Sequence, residues 1–88
     1  IHKSPLITAG QVYLSEELNE YLVVTNNNRG HIAYAGNGFS GMADDEDFIE
    51  RHQPVDPADV DETDSLLLLS LCKPGTTLTT GFYYEDHK

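Results

Sequence analysis

Tyr21-Leu22-Val23-Val24-Thr25-Asn26-Asn27-Asn28-Arg29-Gly30-His31-Ile32-Ala33-Tyr34-Ala35 is the stretch that decides the fold. Its first five residues are dense in β-branched and aromatic side chains, which suit a pleated, half-buried surface. Residues 26–30 then supply side chains that tolerate positive φ, and residues 31–35 run back. The stretch predicts a β-hairpin. Upstream, residues 11–14 (Gln-Val-Tyr-Leu) follow Gly10 and read as a short strand with Val12 and Leu14 on one face. Residues 15–20 are polar enough for a turn, or for one helical turn capped by Ser15 with Leu18 facing inward.

Downstream, residues 36–41 hold three glycines in six residues, Gly36, Gly38 and Gly41, and read as a turn anchoring Phe39 and Met42. No lysine of a phosphate-binding loop follows them; the chain runs into acids instead. Residues 44–52 suit a short helix, with acids in the first turn, Phe48 and Ile49 inward, and Arg51 and His52 at the carbonyl end. Asp56-Pro57-Ala58-Asp59 is a helix start: Asp56 caps, and proline takes the first helical position. The second helix is expected to run to about Cys72, with Val60, Leu67 and Leu71 on one face and Leu66 and Leu69 widening it, until Pro74-Gly75 stops it. Residues 76–84 alternate Leu78, Thr80, Phe82 and Tyr84 and read as a closing strand.

At 88 residues the chain is one domain, with residues 1–8 as an N-terminal arm. The order of elements predicts an α+β fold: a small antiparallel sheet of about four strands whose apolar face is covered by one or two short helices. The Gly-turned hairpin, the aromatic-Gly stretch, Phe48-Ile49 and Pro54-Val55 resemble a small SH3-like barrel. Across roughly residues 10–60 the chain also resembles small acidic accessory and inhibitor proteins encoded by bacteriophages, with their short hairpins and acid-rich helices. These resemblances guide the fold class and carry no functional residue with them.

Cys72 has no second cysteine to pair with, which fits a reducing cytoplasm, the host's if a phage encodes the chain. The apolar run at residues 66–69 is far short of the about 20 residues that a membrane span needs. His2, His31, His52 and His87 lack the close pairing of a zinc site. The acids after Pro57 lack the loop glycine of a calcium-binding hand, so no metal or other cofactor is expected. Cys72 sits at the carbonyl end of its expected helix, where a thiolate is disfavoured, and reads as a packed, inert thiol. Catalysis is not expected. Tyr13, Tyr21, Tyr34, Tyr83 and Tyr84 invite a base-stacking reading, but five bases in 88 residues cannot neutralise a phosphate track, so they read as half-buried sheet residues.

The informative anomaly is where the charge sits. Residues 44–64 hold ten acids (Asp44, Asp45, Glu46, Asp47, Glu50, Asp56, Asp59, Asp61, Glu62 and Asp64) and one base, Arg51, which is −9 of the chain's net −10. Helix starts favour acids by about 0.3 to 1 kcal/mol each, which accounts for three or four per helix but not for Glu50, Asp61 and Asp64 or for the dearth of bases. Carboxylates three and four apart on a helix stand about 5 to 6 Å from one another, of the order of phosphate spacing along a nucleic-acid strand. Two readings follow: solvated helix ends that keep the protein soluble, and a dedicated partner-binding face. The expected function is a non-enzymatic inhibitor or modulator whose acidic, nucleic-acid-mimicking face occupies the basic surface of a host nucleic-acid-binding protein, with no direct contact to nucleic acid or membrane. The alternative is an accessory module that docks through its sheet edge or its Gly-rich loop.

Overall fold

A computed structural model of the chain describes residues 7–81. The hairpin stands at its centre, as strands β2 (Glu20–Asn28) and β3 (His31–Gly36). Asn28 pairs with His31, so only Arg29 and Gly30 form the turn, at φ 56° and 89°. Two consecutive positive φ values give a turn whose twist matches the flanking strands. The strand therefore runs three residues further than the Asn-rich sequence suggested. Asn27 explains why: its Oδ1 accepts from Gly30 N at 2.9 Å and its Nδ2 donates to the Ile7 carbonyl at 2.7 Å, tying the turn to the incoming chain. The register shifts between Val24 and Asn26, which leaves Thr25 as a bulge.

Strand β1 (Gln11–Ser15) pairs antiparallel with β2. Ser15 Oγ accepts from Leu18 N at 3.1 Å in the turn between them, yet Leu18 is 51% exposed rather than turned inward. Strand β4 (Phe39–Asp44) pairs antiparallel with β3 along its whole length, through a turn at Asn37 and Gly38. The glycine-rich stretch is thus mostly strand. Gly41 lies beneath Tyr34, where a Cβ would come 2.6 Å from the tyrosine hydroxyl, and Gly36 lies against the Phe39 ring. Both glycines serve to let a ring lie flat on the sheet. Phe39 is half-buried as expected, whereas Met42 points out, 68% exposed.

Helix α1 (Asp45–Arg51) follows, its first residue held by a 2.9 Å bond from Asp45 N to Gly30 O at the hairpin tip. At its end His52 opens β5 (His52–Pro54), which pairs antiparallel with β1. The expected long second helix is broken in two. Asp56 caps a short 3-10 turn (Pro57–Asp59), Val60 returns to an extended conformation, and Asp61 caps α2 (Glu62–Ser70). Of the expected closing strand, Thr79–Thr80 forms β6, which runs parallel to β1; Phe82 and Tyr84 lie outside the described residues. The α+β class holds, but the sheet has six strands in the order β4-β3-β2-β1-β5, with β6 also on β1, and is mixed rather than purely antiparallel.

Both faces of this sheet are covered, which corrects the expectation of a single apolar face. Tyr13, Leu22, Val24 and Ile32 pack with Ile7 and with Phe48 of α1, whereas Val12 and Val23 pack with Val60 and with Leu68 of α2. Alternation along β2 sends Leu22 and Val24 one way and Val23 the other. The inward residue of α2 is Leu68, 1% exposed, and not Leu67 or Leu71. Leu66 is 61% exposed, Leu69 39% and Leu71 36%.

Candidate functional site

The ten acids of residues 44–64 do not gather on one face. β5 carries the chain along the edge of the sheet between α1 and α2, so the contiguous segment separates into two clusters. Asp44, Asp45, Glu46, Asp47 and Glu50 ride with α1 on the side of Phe48. Asp56, Asp59, Asp61, Glu62 and Asp64 ride with the 3-10 turn and α2 on the side of Leu68. Asp45 and Asp64 are half-buried and the other eight are exposed. Acids of the β1–β2 turn and of the start of β2 add to the two clusters. Glu16 and Glu17 line a surface hollow with Glu50 and Arg51, and Glu20 lines a cleft with Asp64, Tyr21 and Leu67.

Little among the described residues neutralises these groups. Among the described residues the one basic side chain in contact with a carboxylate is His31, whose Nδ1 stands 3.2 Å from Asp44 Oδ1, with both side chains more than 60% exposed. Two acids have local work. Asp56 Oδ1 accepts from Ala58 N at 3.0 Å and Asp61 Oδ1 from Asp64 N at 2.9 Å, so these two are helix caps, whereas Asp44 caps α1 by position without a side-chain bond.

The α2 side carries a feature that charge counting misses. Leu66, Leu69 and Leu71 are exposed on or next to the helix that holds Asp61, Glu62 and Asp64. The signal was present in the sequence: four consecutive leucines, residues 66–69, spread over about 300° of the helix circumference and cannot all face inward. Strand β4 is a second missed feature. It is the outer strand of the sheet, carries exposed Met42, and its outer edge is unpaired among the described residues.

The remaining chemistry is sparse. No group of three or more metal-ligating side chains converges among the described residues, and His2 and His87 lie outside them. Cys72 Sγ stands 3.5 Å from the Leu68 carbonyl, and burial pushes its thiol pKa up. Tyr13 is buried and donates to Gln11 Oε1 at 2.8 Å, Tyr21 and Tyr34 are half-buried, and Tyr83 and Tyr84 lie outside the described residues. Among those residues, no helix is long and apolar enough to cross a membrane. No protein-family model matches the chain, and neither a curated protein nor a solved structure matches it, so the resemblances to SH3-like barrels and to acidic phage proteins rest on the residues alone.

Proposed function

We propose that this chain is a non-enzymatic binding protein that seats the basic surface of another protein on its acidic helices, as the nucleic-acid channel of a host defence or transcription protein would present. The ten acids of residues 44–64 supply the field, and the α2 side supplies the contact. One observation carries this reading: Leu66, Leu69 and Leu71 are exposed on or next to the helix whose first turn carries Asp61, Glu62 and Asp64. A solubility device needs acids alone, whereas an interface needs an apolar centre with a polar rim. Acids that no Lys or Arg among the described residues contacts leave their attraction available to steer a basic partner, and that attraction shortens with the Debye length as salt rises. A small acidic protein of this kind, with one cysteine and a resemblance to phage-encoded inhibitors, belongs in the cytoplasm of a host cell.

The test begins with capture from bacterial lysate at low and high salt, followed by affinity measurements on the partner so found. Changing Asp61→Asn, Glu62→Gln and Asp64→Asn together should weaken binding at least tenfold at 0.1 M salt, or about 1.4 kcal/mol. Asparagine keeps the cap at position 61, so the fold should remain. Leu66→Ser should weaken binding as well, by a factor that salt does not change. Unaltered affinity in both variants removes α2 from the interface.

The free edge of β4 favours a second reading, in which an extended peptide adds a strand to the sheet beside Met42. Met42→Lys should then abolish binding, because a lysine on an edge strand opposes strand addition. The triple neutralisation should leave that mode of binding unchanged. Substitution at Gly41 cannot serve in this test, since it displaces the Tyr34 ring.

A further inference from the structure

A cavity of about 200 Å³ opens between the β1–β2 turn, β3, β4 and the end of α1, away from α2. Tyr34, Phe39 and Leu18 give it apolar walls, His52 lines it, and Glu17 and Arg51 stand at its border. The glycine contacts already described are what shape it: Gly36 and Gly41 allow the Phe39 and Tyr34 rings to lie down on the sheet.

His52 is the unusual member. It is only 8% exposed, its ring stacks on Phe48 at 4.3 Å and 24°, and the Tyr34 ring stands 5.4 Å away. His52 Nδ1 lies 2.7 Å from the Phe48 carbonyl, which can only accept, so Nδ1 carries the proton. Nε2 is then a lone-pair acceptor on the opposite edge of a buried ring, and no donor among the described residues reaches it. A donor that enters the cavity lined by His52 can use this acceptor.

We propose that this cavity binds a phenol ring, presented by a small molecule or by a tyrosine side chain, whose hydroxyl donates to His52 Nε2 while the ring packs against Tyr34 and Phe39. The volume admits one ring and falls below the roughly 300 to 1,000 Å³ of drug-sized sites. An anion is opposed by the chain's net charge of −10, and an ammonium by Arg51 and by the cost of desolvation among aromatic rings. A neutral aromatic donor meets neither penalty. The site lies on the sheet face opposite α2 and stands independently of the acidic-partner reading.

The test is titration of the intact protein at pH 7.5, followed by NMR at the His52, Tyr34 and Phe39 rings, with three probes: phenol, fluorobenzene and the blocked peptide Ala-Tyr-Ala. Phenol should give saturable shifts with a Kd of about 1 to 10 mM. Fluorobenzene, of the same shape without the donor, should bind about five- to tenfold more weakly, the factor that one net hydrogen bond supplies. A peptide that binds tighter than phenol assigns the ring to a partner's tyrosine, and a peptide that fails where phenol binds assigns it to a small molecule. His52→Phe keeps the stacked ring and removes Nε2, so it should level phenol with fluorobenzene. Should that variant not fold, anisole tests the same bond in the unaltered protein: it keeps the ring and the oxygen but has no O–H to donate, so it should bind no more tightly than fluorobenzene, and anisole binding as tightly as phenol overturns the proposal. Equal binding of phenol and fluorobenzene at pH 7.5, or no saturable shift with phenol and peptide alike, overturns the proposal.

Discussion

The two helices cover opposite faces of one sheet and use their apolar residues in opposite ways. α1 has seven residues, and its Phe48 is wholly buried against Tyr13, at 4.8 Å and 83°, as well as against Tyr34 and His52. α2 has nine residues, four of them consecutive leucines, and only Leu68 is fully buried. Apolar content therefore does not rank the two sides by what they contribute to the core. The α1 side is a packed group of rings around Phe48 with a cavity at its border, whereas the α2 side holds a thin aliphatic layer of Val12, Val23, Val60 and Leu68 and leaves leucines facing water. Stability is concentrated on the first side, and the exposed apolar material of the proposed acidic interface lies on the second.

Paired truncations are the sharpest way to break this comparison. Phe48→Ala should cost about 3 to 5 kcal/mol, because it removes a large buried ring and three aromatic contacts at once. Leu68→Ala should cost about 2 to 3 kcal/mol, toward the lower end for a buried leucine, since the edge of its layer borders solvent. Urea denaturation of both variants measures the difference. A larger loss from Leu68 than from Phe48 would invert the assignment of the two faces.

Acid provides a second discrimination, because the α1 side has a buried titratable ring. Burial is the main cause that holds the His52 pKa below its usual 6.5, with Arg51 adding to it, while the bond to the Phe48 carbonyl and the Glu16 charge act the other way. The unfolded chain thus binds a proton at a higher pH than the folded one. Stability from this group is complete above pH 6.5 and is lost as pH falls from there through the folded-state pKa. Thermal melts between pH 7.5 and 5 should show the decline, and His52→Phe should flatten it. An unchanged slope in that variant would move the proton uptake to another group.

How far this division could be read in the sequence depends on what each element needed. The hairpin was legible because β-branched residues and turn residues coincide there, and Phe48 was legible because it is the one aromatic in a short acidic helix. β4 was hidden by Gly36 and Gly41, since a glycine in a strand looks like a loop until the ring lying across it is known. α2 was misphased because a run of leucines has no period; Leu68 is selected by Val12 and Val23, which lie far away in sequence. β5 and β6, three and two residues long, exist only through pairing with β1. The acids misled most. Their contiguity along the chain suggested one face, and the three residues of β5 were enough to separate them onto two.

The smallest contrast lies in the first residues of the two helices. Asp61 bonds Asp64 N at 2.9 Å, so Asp61→Ala should cost about 1 kcal/mol, within the range of about 0.5 to 2 for a lost cap, while Asp61→Asn should cost only a few tenths. Asp44 makes no cap bond with its side chain, and its partner His31 is as exposed as it is, so Asp44→Ala should cost less than about 0.5 kcal/mol. The measurement is again a urea midpoint, now with differences near the limit of the method, and three replicate curves per variant resolve them. Equal losses at Asp44 and Asp61 would mean that both acids act on their helices through charge alone. In that event Asp61→Asn would also destabilise α2, and a weaker complex in the triple variant would report a damaged helix rather than a lost attraction. A loss confined to Asp61→Ala leaves the asparagine variant as a clean probe of charge, and the acids of α2 can then be judged by what they do to a partner.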